Sequence, residues 1–140
     1  MNTRMATEYS KDNSTVLHLK PYKHIEKIID TLLPSAERKI LSRGEVVHYY
    51  KSDIRQCFLL IQGSVALHRR GDGIVLNSES APFILGVSSQ FSSEHLYVRA
   101  LETSEVAAVS LERFNGIVAQ QNLWEHFSNL LIYTASRVYE

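Results

Sequence analysis

The chain has 140 residues, 44% hydrophobic and 21% charged, which is enough to bury the core of one ordinary domain without disulfides or metals. Fifteen basic and fifteen acidic side chains cancel, which argues against direct nucleic-acid binding, because surfaces that bind nucleic acid carry a basic excess. The single cysteine excludes an internal disulfide and favours a reducing cytoplasm over secretion.

The N-terminal part of the sequence predicts a tail and then a short helix. Residues 1–20 are polar and are expected to form a loosely ordered tail rather than a signal peptide, and no apolar run is long enough to cross a bilayer. From Pro21 the apolar residues recur at spacings of three and four, which predicts a helix with one buried face. That face consists of Ile25, Ile28, Ile29, Leu32 and Leu33. Pro34 is expected to end the helix, and Ser35 to cap a further helical turn through Leu41.

Between Glu45 and Glu105 the pattern changes to short strands separated by turn residues. The segment 56–62 is apolar on both faces, as expected for a strand inside a roll. Asp72 and Gly73 form a hairpin signal, because Asp-Gly supplies the positive φ angles of a tight turn. Strands are predicted at 46–50, 56–62, 64–68, 74–77, 82–86, 96–101 and 106–110. Several short strands with no long helix among them predict a sandwich or jelly roll.

The last third of the chain is predicted to be helical. Ser110 can cap one helix, and Asn122 with Glu125 three positions on resembles a capping box for a second. Apolar residues then cover more than a narrow stripe, which predicts a helix that packs on the roll and pairs with a second copy. The predicted dimerisation residues are Leu123, Trp124, Phe127, Leu130, Leu131 and Val138. The pattern is still running at Glu140, as in a helix cut in mid-course.

The order helix, roll and long helix resembles the effector domain of the CRP/FNR regulator superfamily over about residues 25–140. Gly44–Glu45 is similar to the Gly-Glu that opens that roll, and Cys57–Leu67 to an aromatic-aliphatic run with Gly-Ser-Val. Val98–Ala100, followed by Ser104–Ala107, is similar to the strand pair that closes the roll. The resemblance implies a cyclic-nucleotide-binding-like β-roll, a double-stranded jelly roll, followed by a long C-terminal dimerisation helix.

The resemblance also implies a domain organisation and a role. Residues 21–121 would form the roll with its short flanking helices, and residues 122–140 would begin the dimerisation helix. DNA would be bound only through a winged helix-turn-helix that this chain does not contain. The segments Ala81–Gly86 and Gln120–Trp124 are also similar to enterobacterial regulators described as inhibitors of hydrogen peroxide resistance, which implies a stress-response role. The implied protein is a non-enzymatic, cytoplasmic homodimer.

The resemblance further implies a ligand pocket whose occupant changes the packing of the roll against the long helix. The family's nucleotide pocket uses a glutamate directly after a glycine and, further along, an arginine that binds the phosphate. Here Val87 follows Gly86, and the arginine's place falls near Glu94, whose negative charge would repel a phosphate. The pocket residues are then Phe83, Leu85, Gly86, Val87, Glu94, Tyr97 and Arg99. We expect a degenerate pocket that holds a more apolar ligand or is filled by its own side chains.

Two other functions stay open from the sequence. One is a cupin-like metal-dependent or sugar-binding roll, and the other is a genuine cyclic-nucleotide receptor with a displaced pocket. No cupin-type histidine pattern occurs, although His48 and His68 could approach each other across the roll. Cys57 is expected to act as a small buried hydrophobe rather than a redox sensor. No catalytic residue, metal site or cofactor is predicted.

Overall fold

The computed structural model describes residues 19–51, 53–87 and 96–138. Within this part of the chain, the helices are α1 Tyr22–Leu32, α2 Leu111–Gln120 and α3 Trp124–Val138, with a 3₁₀ turn, Leu33–Ser35, after α1. The strands are β1 Glu37–Leu41, β2 Val46–His48, β3 Tyr50–Lys51, β4 Ile54–Gln62, β5 Ser64–Arg69, β6 Val75–Ser80, β7 Phe83–Leu85, β8 Leu96–Ala100 and β9 Ser104–Ser110.

The strands form two antiparallel sheets. One has the order β1-β9-β4-β3, with β7 also paired to β4, and the other has the order β2-β8-β5-β6. This arrangement is a mostly-β roll with flanking helices and a C-terminal helix, which confirms the predicted fold class. No helix within the described residues is both long and apolar enough to span a membrane.

Strand β4 is buried on both faces, as its sequence predicts. Phe58 lies directly opposite Ala108 of β9 and Leu85 of β7, and the next residue, Leu59, lies opposite Ala107. Directly opposed residues share a face and successive residues alternate, so Phe58 and Leu59 point to opposite sides of the five-stranded sheet. Both are buried, with exposed fractions of 5% and 0%. The core therefore continues from the space between the sheets to the outer side of β4.

Helix α1 has the apolar face that its spacing predicts, because Ile25, Ile28, Ile29 and Leu32 are all buried. It packs against α3 and β7. Across the α1–α3 contact, the Nδ1 atoms of His24 and His126 lie 2.8 Å apart, which is hydrogen-bonding distance. This contact joins the first turn of α3 to α1, the helix that precedes the roll in the sequence.

Two predicted local structures are wrong. Ser35 does not start another helical turn, because Ala36 is extended (φ −108°, ψ 155°) and Glu37–Leu41 pairs with β9. The hydrogen bonds of that pairing replace those of a turn. Asn122 does not cap α3 either, since it adopts a left-handed conformation (φ +56°) and its N–H donates to the Ala119 carbonyl, which ends α2. Ser110 caps α2 as predicted, its hydroxyl accepting from the Arg113 N–H at 3.1 Å.

Candidate functional site

Four of the predicted pocket residues lie together at β7, in apolar surroundings. Phe83, Leu85 and Val87 have exposed fractions of 3%, 1% and 2%, so all three are packed in the core. Gly86 has a φ of +93°, and a Cβ added there would lie 3.0 Å from both the Gln56 carbonyl oxygen and the Tyr49 ring. The backbone after β7 is therefore held directly against other groups, with no room for a side chain at Gly86.

The other three pocket residues do not join this group. Glu94 lies outside the residues that the structure describes. Tyr97 and Arg99 alternate along β8 with Val98 and Ala100, which are fully buried in the core. Because side chains alternate along a strand, Tyr97 and Arg99 point to the outer face of the four-stranded sheet. They therefore do not line the same space as Phe83 and Leu85.

On that outer face, Tyr97 and Arg99 are part of a polar cluster centred on His68. The rings of Tyr97 and His68 stack in parallel, with centroids 4.8 Å apart. Arg99 Nε donates to His68 Nε2 at 3.1 Å, and His68 Nδ1 donates to the Gly73 carbonyl at 2.9 Å. Both ring nitrogens of His68 are thus already used in hydrogen bonds. Such a histidine has no lone pair left to bind a metal with His48.

The other described histidines show no metal-site pattern. Register places Tyr97 of β8 between His48 of β2 and His68 of β5, and the rings of His48 and Tyr97 have centroids 5.8 Å apart. In the described ranges, no group of three or more His, Cys, Asp or Glu side chains is placed to hold a metal ion. The geometry therefore gives no support to the cupin-like alternative.

A buried ion pair connects the roll to α3. Arg137 Nε lies 3.1 Å from Glu79 Oε2 of β6, and only 4% of the Glu79 side chain is exposed. Arg137 Nη2 also donates to Asn77 Oδ1 at 2.7 Å and to the Ser78 carbonyl at 3.0 Å. We call these four residues, Arg137, Asn77, Ser78 and Glu79, the β6–α3 tether. One side chain of the long helix thus binds three consecutive residues of the strand.

The tether lies on the inner face of the four-stranded sheet. Glu79 is paired with Val65 and Asn77 with Leu67, and Val65 is completely buried. Opposed residues of an antiparallel pair share a face, so Glu79 and Asn77 point inward. The tether therefore places charged groups inside the roll, where a buried carboxylate requires a partner.

Lys20 and an aromatic pair lie beside the tether. The Lys20 ammonium donates to the Ser80 carbonyl and lies 5.6 Å from the centroid of the Phe83 ring. Burial lowers the pKa of Lys20, while the nearby Glu79 carboxylate acts in the opposite direction. The edge of one ring meets the face of the other in the pair Phe83 and Tyr133, whose centroids are 5.9 Å apart. The predicted pocket residue Phe83 is therefore covered by α3 and by Lys20.

Sequence reasoning missed the tether, although one signal for it was present. The buried residues of α3 are spaced three apart at Phe127, Leu130 and Tyr133, and Leu123 lies buried just before the helix. Arg137 lies one turn further along the same side. An arginine on the buried side of a helix requires an acidic or polar partner. The identity of that partner, Glu79, cannot be read from α3 alone, because the two residues are 58 positions apart.

Cys57 is fully buried in β4, and its Sγ lies 3.6 Å from the Val109 carbonyl oxygen. Burial raises the pKa of the Cys57 thiol to about 12, because the thiolate would lose its hydration. At neutral pH the side chain is therefore the protonated thiol, which is a poor nucleophile.

This burial predicts a loss of stability in alkali. The folded chain holds the thiol proton more tightly than the unfolded chain does. The stabilisation that comes from burying the protonated thiol is therefore complete below the ordinary thiol pKa of 9.0 and is lost as pH rises toward 12. We expect the free energy of unfolding to fall by about 1 kcal/mol per pH unit above that point. Urea denaturation of wild type and Cys57→Ala at pH 8, 9 and 10 measures it. Parallel pH profiles for the two proteins would contradict the prediction.

Three of the six predicted dimerisation residues are buried within this chain. Leu123, Phe127 and Leu130 have exposed fractions of 3%, 8% and 1%, so they pack against the roll and α1 or α2 and are not available to a second copy. The structure therefore shows these three residues in contacts within the chain, and the dimer interface itself stays a prediction. The sequence alone does not say which face of an apolar helix packs on its own roll and which face meets a partner. The side chain of Val138 lies outside the described residues.

The side of α3 next to its buried face carries an exposed apolar stripe. Trp124 is 51% exposed, Leu131 is half-buried and Ala135 is exposed. With Ser128, these residues follow alternating spacings of four and three, which is the seam of a two-stranded coiled coil. Ile132, 57% exposed, widens this stripe and was not among the predicted residues.

The fold matches solved structures of bacterial regulators, whereas no family model and no curated protein sequence matches the chain. The c-di-GMP-responsive global regulator CLP of Xanthomonas campestris superposes with a TM-score of 0.66 at 17% identity, over 81% of this chain and 59% of that chain. CooA of Carboxydothermus hydrogenoformans gives 0.63 at 12% identity, over 82% and 78%. A putative cyclic nucleotide-binding protein of Geobacter metallireducens gives 0.57 at 24% identity, over 85% and 87%.

These likenesses concern the fold. The chain spans 59% of the length of the Xanthomonas regulator, so the activity of that whole protein does not transfer with the match. Identities below 25% leave individual site residues unassigned. The described chain has the fold of the β-roll that CRP/FNR-like regulators and cyclic-nucleotide-binding domains share.

Proposed function

We propose that this chain is the sensory and dimerisation domain of a CRP/FNR-like bacterial transcription regulator that operates without a cyclic nucleotide. The observation that carries the proposal is the β6–α3 tether. In the family that the sequence resembles, a pocket ligand controls the packing of the roll against the long helix. Here Arg137 of α3 binds Glu79 on the inner face of the roll directly. The protein's own side chain thus makes the connection between sensor and helix.

The surroundings of β7 support the same proposal. Val87 follows Gly86 and is buried in the core, so this position offers no carboxylate to a ribose hydroxyl. Arg99 is hydrogen-bonded to His68 on the outer face of the sheet, away from the inner space. A cyclic nucleotide would then need a buried cation for its phosphate that neither residue supplies.

Calorimetric titration of cyclic AMP and cyclic GMP into the 140-residue chain tests the proposal. We expect no binding heat up to about 1 mM nucleotide, a concentration that would reveal even affinities of about −4 kcal/mol. One-site binding by folded protein would contradict the proposal and favour a genuine receptor with a displaced pocket. If binding were seen, the variant Arg137→Met would show whether the nucleotide competes with the tether. Competition predicts that this variant binds the nucleotide more tightly than the wild type does.

The partner in this proposal is a second copy of the chain, bound through the exposed stripe of α3. DNA would be contacted by a separate module that the paired helices position, in the cytoplasm. No residue of the chain is assigned a catalytic role. The likeness of Ala81–Gly86 and Gln120–Trp124 to regulators of hydrogen peroxide resistance extends the proposal to oxidative stress, with the buried Cys57 not serving as the sensing thiol.

The dimer is tested by changing the stripe. Leu131→Asp is expected to convert a dimer into a monomer, because two buried aspartates would face each other across a coiled-coil seam without partners. Sedimentation velocity measures the fractions of monomer and dimer. Concentrations from about 5 to 200 μM span the range in which a dimer of micromolar affinity dissociates. Ile54→Asp is the matched control, since Ile54 is also exposed (56%) but lies on β4, away from α3. A wild-type chain that stays monomeric, or a Leu131→Asp dimer, would reject this interface.

A further inference from the structure

A cavity separate from the predicted pocket opens at one edge of the roll. It has a volume of about 400 Å³ and lies between the segment 46–51 and the five-stranded sheet. None of Phe83, Leu85 or Val87 lines it. Cavities of this size are common sites for small organic ligands.

The floor of this edge cavity is apolar and shaped by a small residue. Register places Ala108 of β9 between Glu37 of β1 and Phe58 of β4, all on one face of the sheet. Val106 lies two residues along the same strand and therefore points the same way. Phe58 and Val106 are buried, with exposed fractions of 5% and 1%, while the small side chain of Ala108 leaves the space above it open. The floor therefore offers apolar contact to a ligand.

The rim of the cavity is exposed and mainly cationic. Of the Lys, Arg, Asp and Glu side chains that line it, Arg38, Lys39 and Lys51 are positive and Glu37 alone is negative. Arg38 and Lys39 already have carboxylate partners at 3.3 and 3.1 Å, from Glu105 and Glu45.

Lys51 is the cation that remains for a ligand. Within the described ranges it forms no salt bridge, and it lies on the rim beside the apolar floor. Glu37 forms none either, but register places Glu37 level with Phe58, whereas Lys51 is paired with Ile54, four residues away along β4. The anionic head of a ligand would therefore lie at the Lys51 end of the cavity, away from the Glu37 carboxylate. An exposed ammonium next to buried apolar surface is complementary to a molecule with an anionic head and an apolar body.

We infer that the edge cavity binds a small carboxylate with an apolar body, of the size of a medium-chain fatty acid. Its carboxylate would pair with Lys51, and its body would lie over Ala108 and Phe58. The inference goes beyond the proposed function, because it shares no residue with the β6–α3 tether or with the exposed stripe of α3.

Titration of octanoate into the full chain tests the inference, with octanol and octylammonium as neutral and cationic probes of the same length. We expect saturable binding of octanoate, binding of octanol at least tenfold weaker, and no binding of octylammonium. Octanol that binds as tightly as octanoate would overturn the role of Lys51. Absence of octanoate binding at several millimolar would overturn the site.

Two variants locate the ligand. Ala108→Phe fills the floor and is expected to abolish octanoate binding, whereas Ala119→Phe on the exposed surface of α2 should leave it unchanged. Lys51→Glu reverses a charge on the exposed rim, where folding is not at risk, and should weaken binding at least tenfold. Its matched control is Lys27→Glu on the exposed side of α1. Wild-type affinity in both Ala108→Phe and Lys51→Glu would reject the edge cavity, and the nucleotide titration would be unaffected by that result.

Discussion

Replacing Arg137 by methionine is expected to lower the free energy of unfolding by roughly 3 kcal/mol, because it leaves the Glu79 carboxylate buried without its main partner. Only 4% of the Glu79 side chain is exposed, whereas 31% of Arg137 is, so solvent can screen only one end of the pair. We place the expected loss at the low end of the range for broken buried ion pairs for this reason. Urea denaturation measures it.

A double variant separates the charge effect from a general packing defect. Glu79→Leu combined with Arg137→Met removes both charges and is expected to recover most of the lost stability, since apolar groups of similar size replace buried ion pairs at little cost. The exposed pair of Arg69 and Asp72, at 2.7 Å, supplies the control. Arg69→Met should change stability by less than about 1 kcal/mol. Equal losses in Arg137→Met and Arg69→Met would contradict the buried tether.

The tether also predicts a change in dynamics. If Arg137 holds the end of α3 on β6, its loss should raise the hydrogen-exchange rates of amides in the last turns of α3, while those of β4 stay protected. The proposed function requires this coupling, because the position of the long helix is the output of the domain. Unchanged hydrogen-exchange rates in α3 of Arg137→Met would show that the tether does not control the position of the long helix.

Replacing Gly63 by alanine is expected to lower the free energy of unfolding by about 4 kcal/mol, from backbone strain and overpacking together. Gly63 has a φ of +96°, which an alanine rarely adopts, and it joins β4 to β5. A Cβ there would lie 2.8 Å from the Cα of Ser104, so backbone and not merely a side chain would have to move. The whole junction of the two sheets would then shift.

Gly71→Ala is the matched control for Gly63→Ala. Gly71 does not have a positive φ, and a Cβ there would meet nothing within 4 Å. Its effect should stay within about 0.5 kcal/mol, as for surface substitutions in general. Thermal unfolding followed by circular dichroism compares the two variants. A Gly63→Ala domain as stable as Gly71→Ala would show that Ser104 can move aside at little cost.

Local sequence pattern determined much of this fold. The spacing of Ile25, Ile28 and Leu32 fixes the buried face of α1, since a helix brings residues three and four apart to one side. The doubly apolar run in β4 likewise predicted a strand buried on both faces. In both cases the burial of neighbouring residues follows from the period of a single element, so no knowledge of the rest of the chain is needed.

Tertiary structure alone decided the site. Glu37–Leu41 became a strand because β9 offered an edge to pair with, which its own helix-like pattern did not reveal. Tyr97 and Arg99 lie outside the roll because the register of β8 places Val98 inside. Glu79 and Arg137 meet across 58 positions of sequence. Each outcome depends on which surfaces meet after folding, and local periodicity carries no information about that.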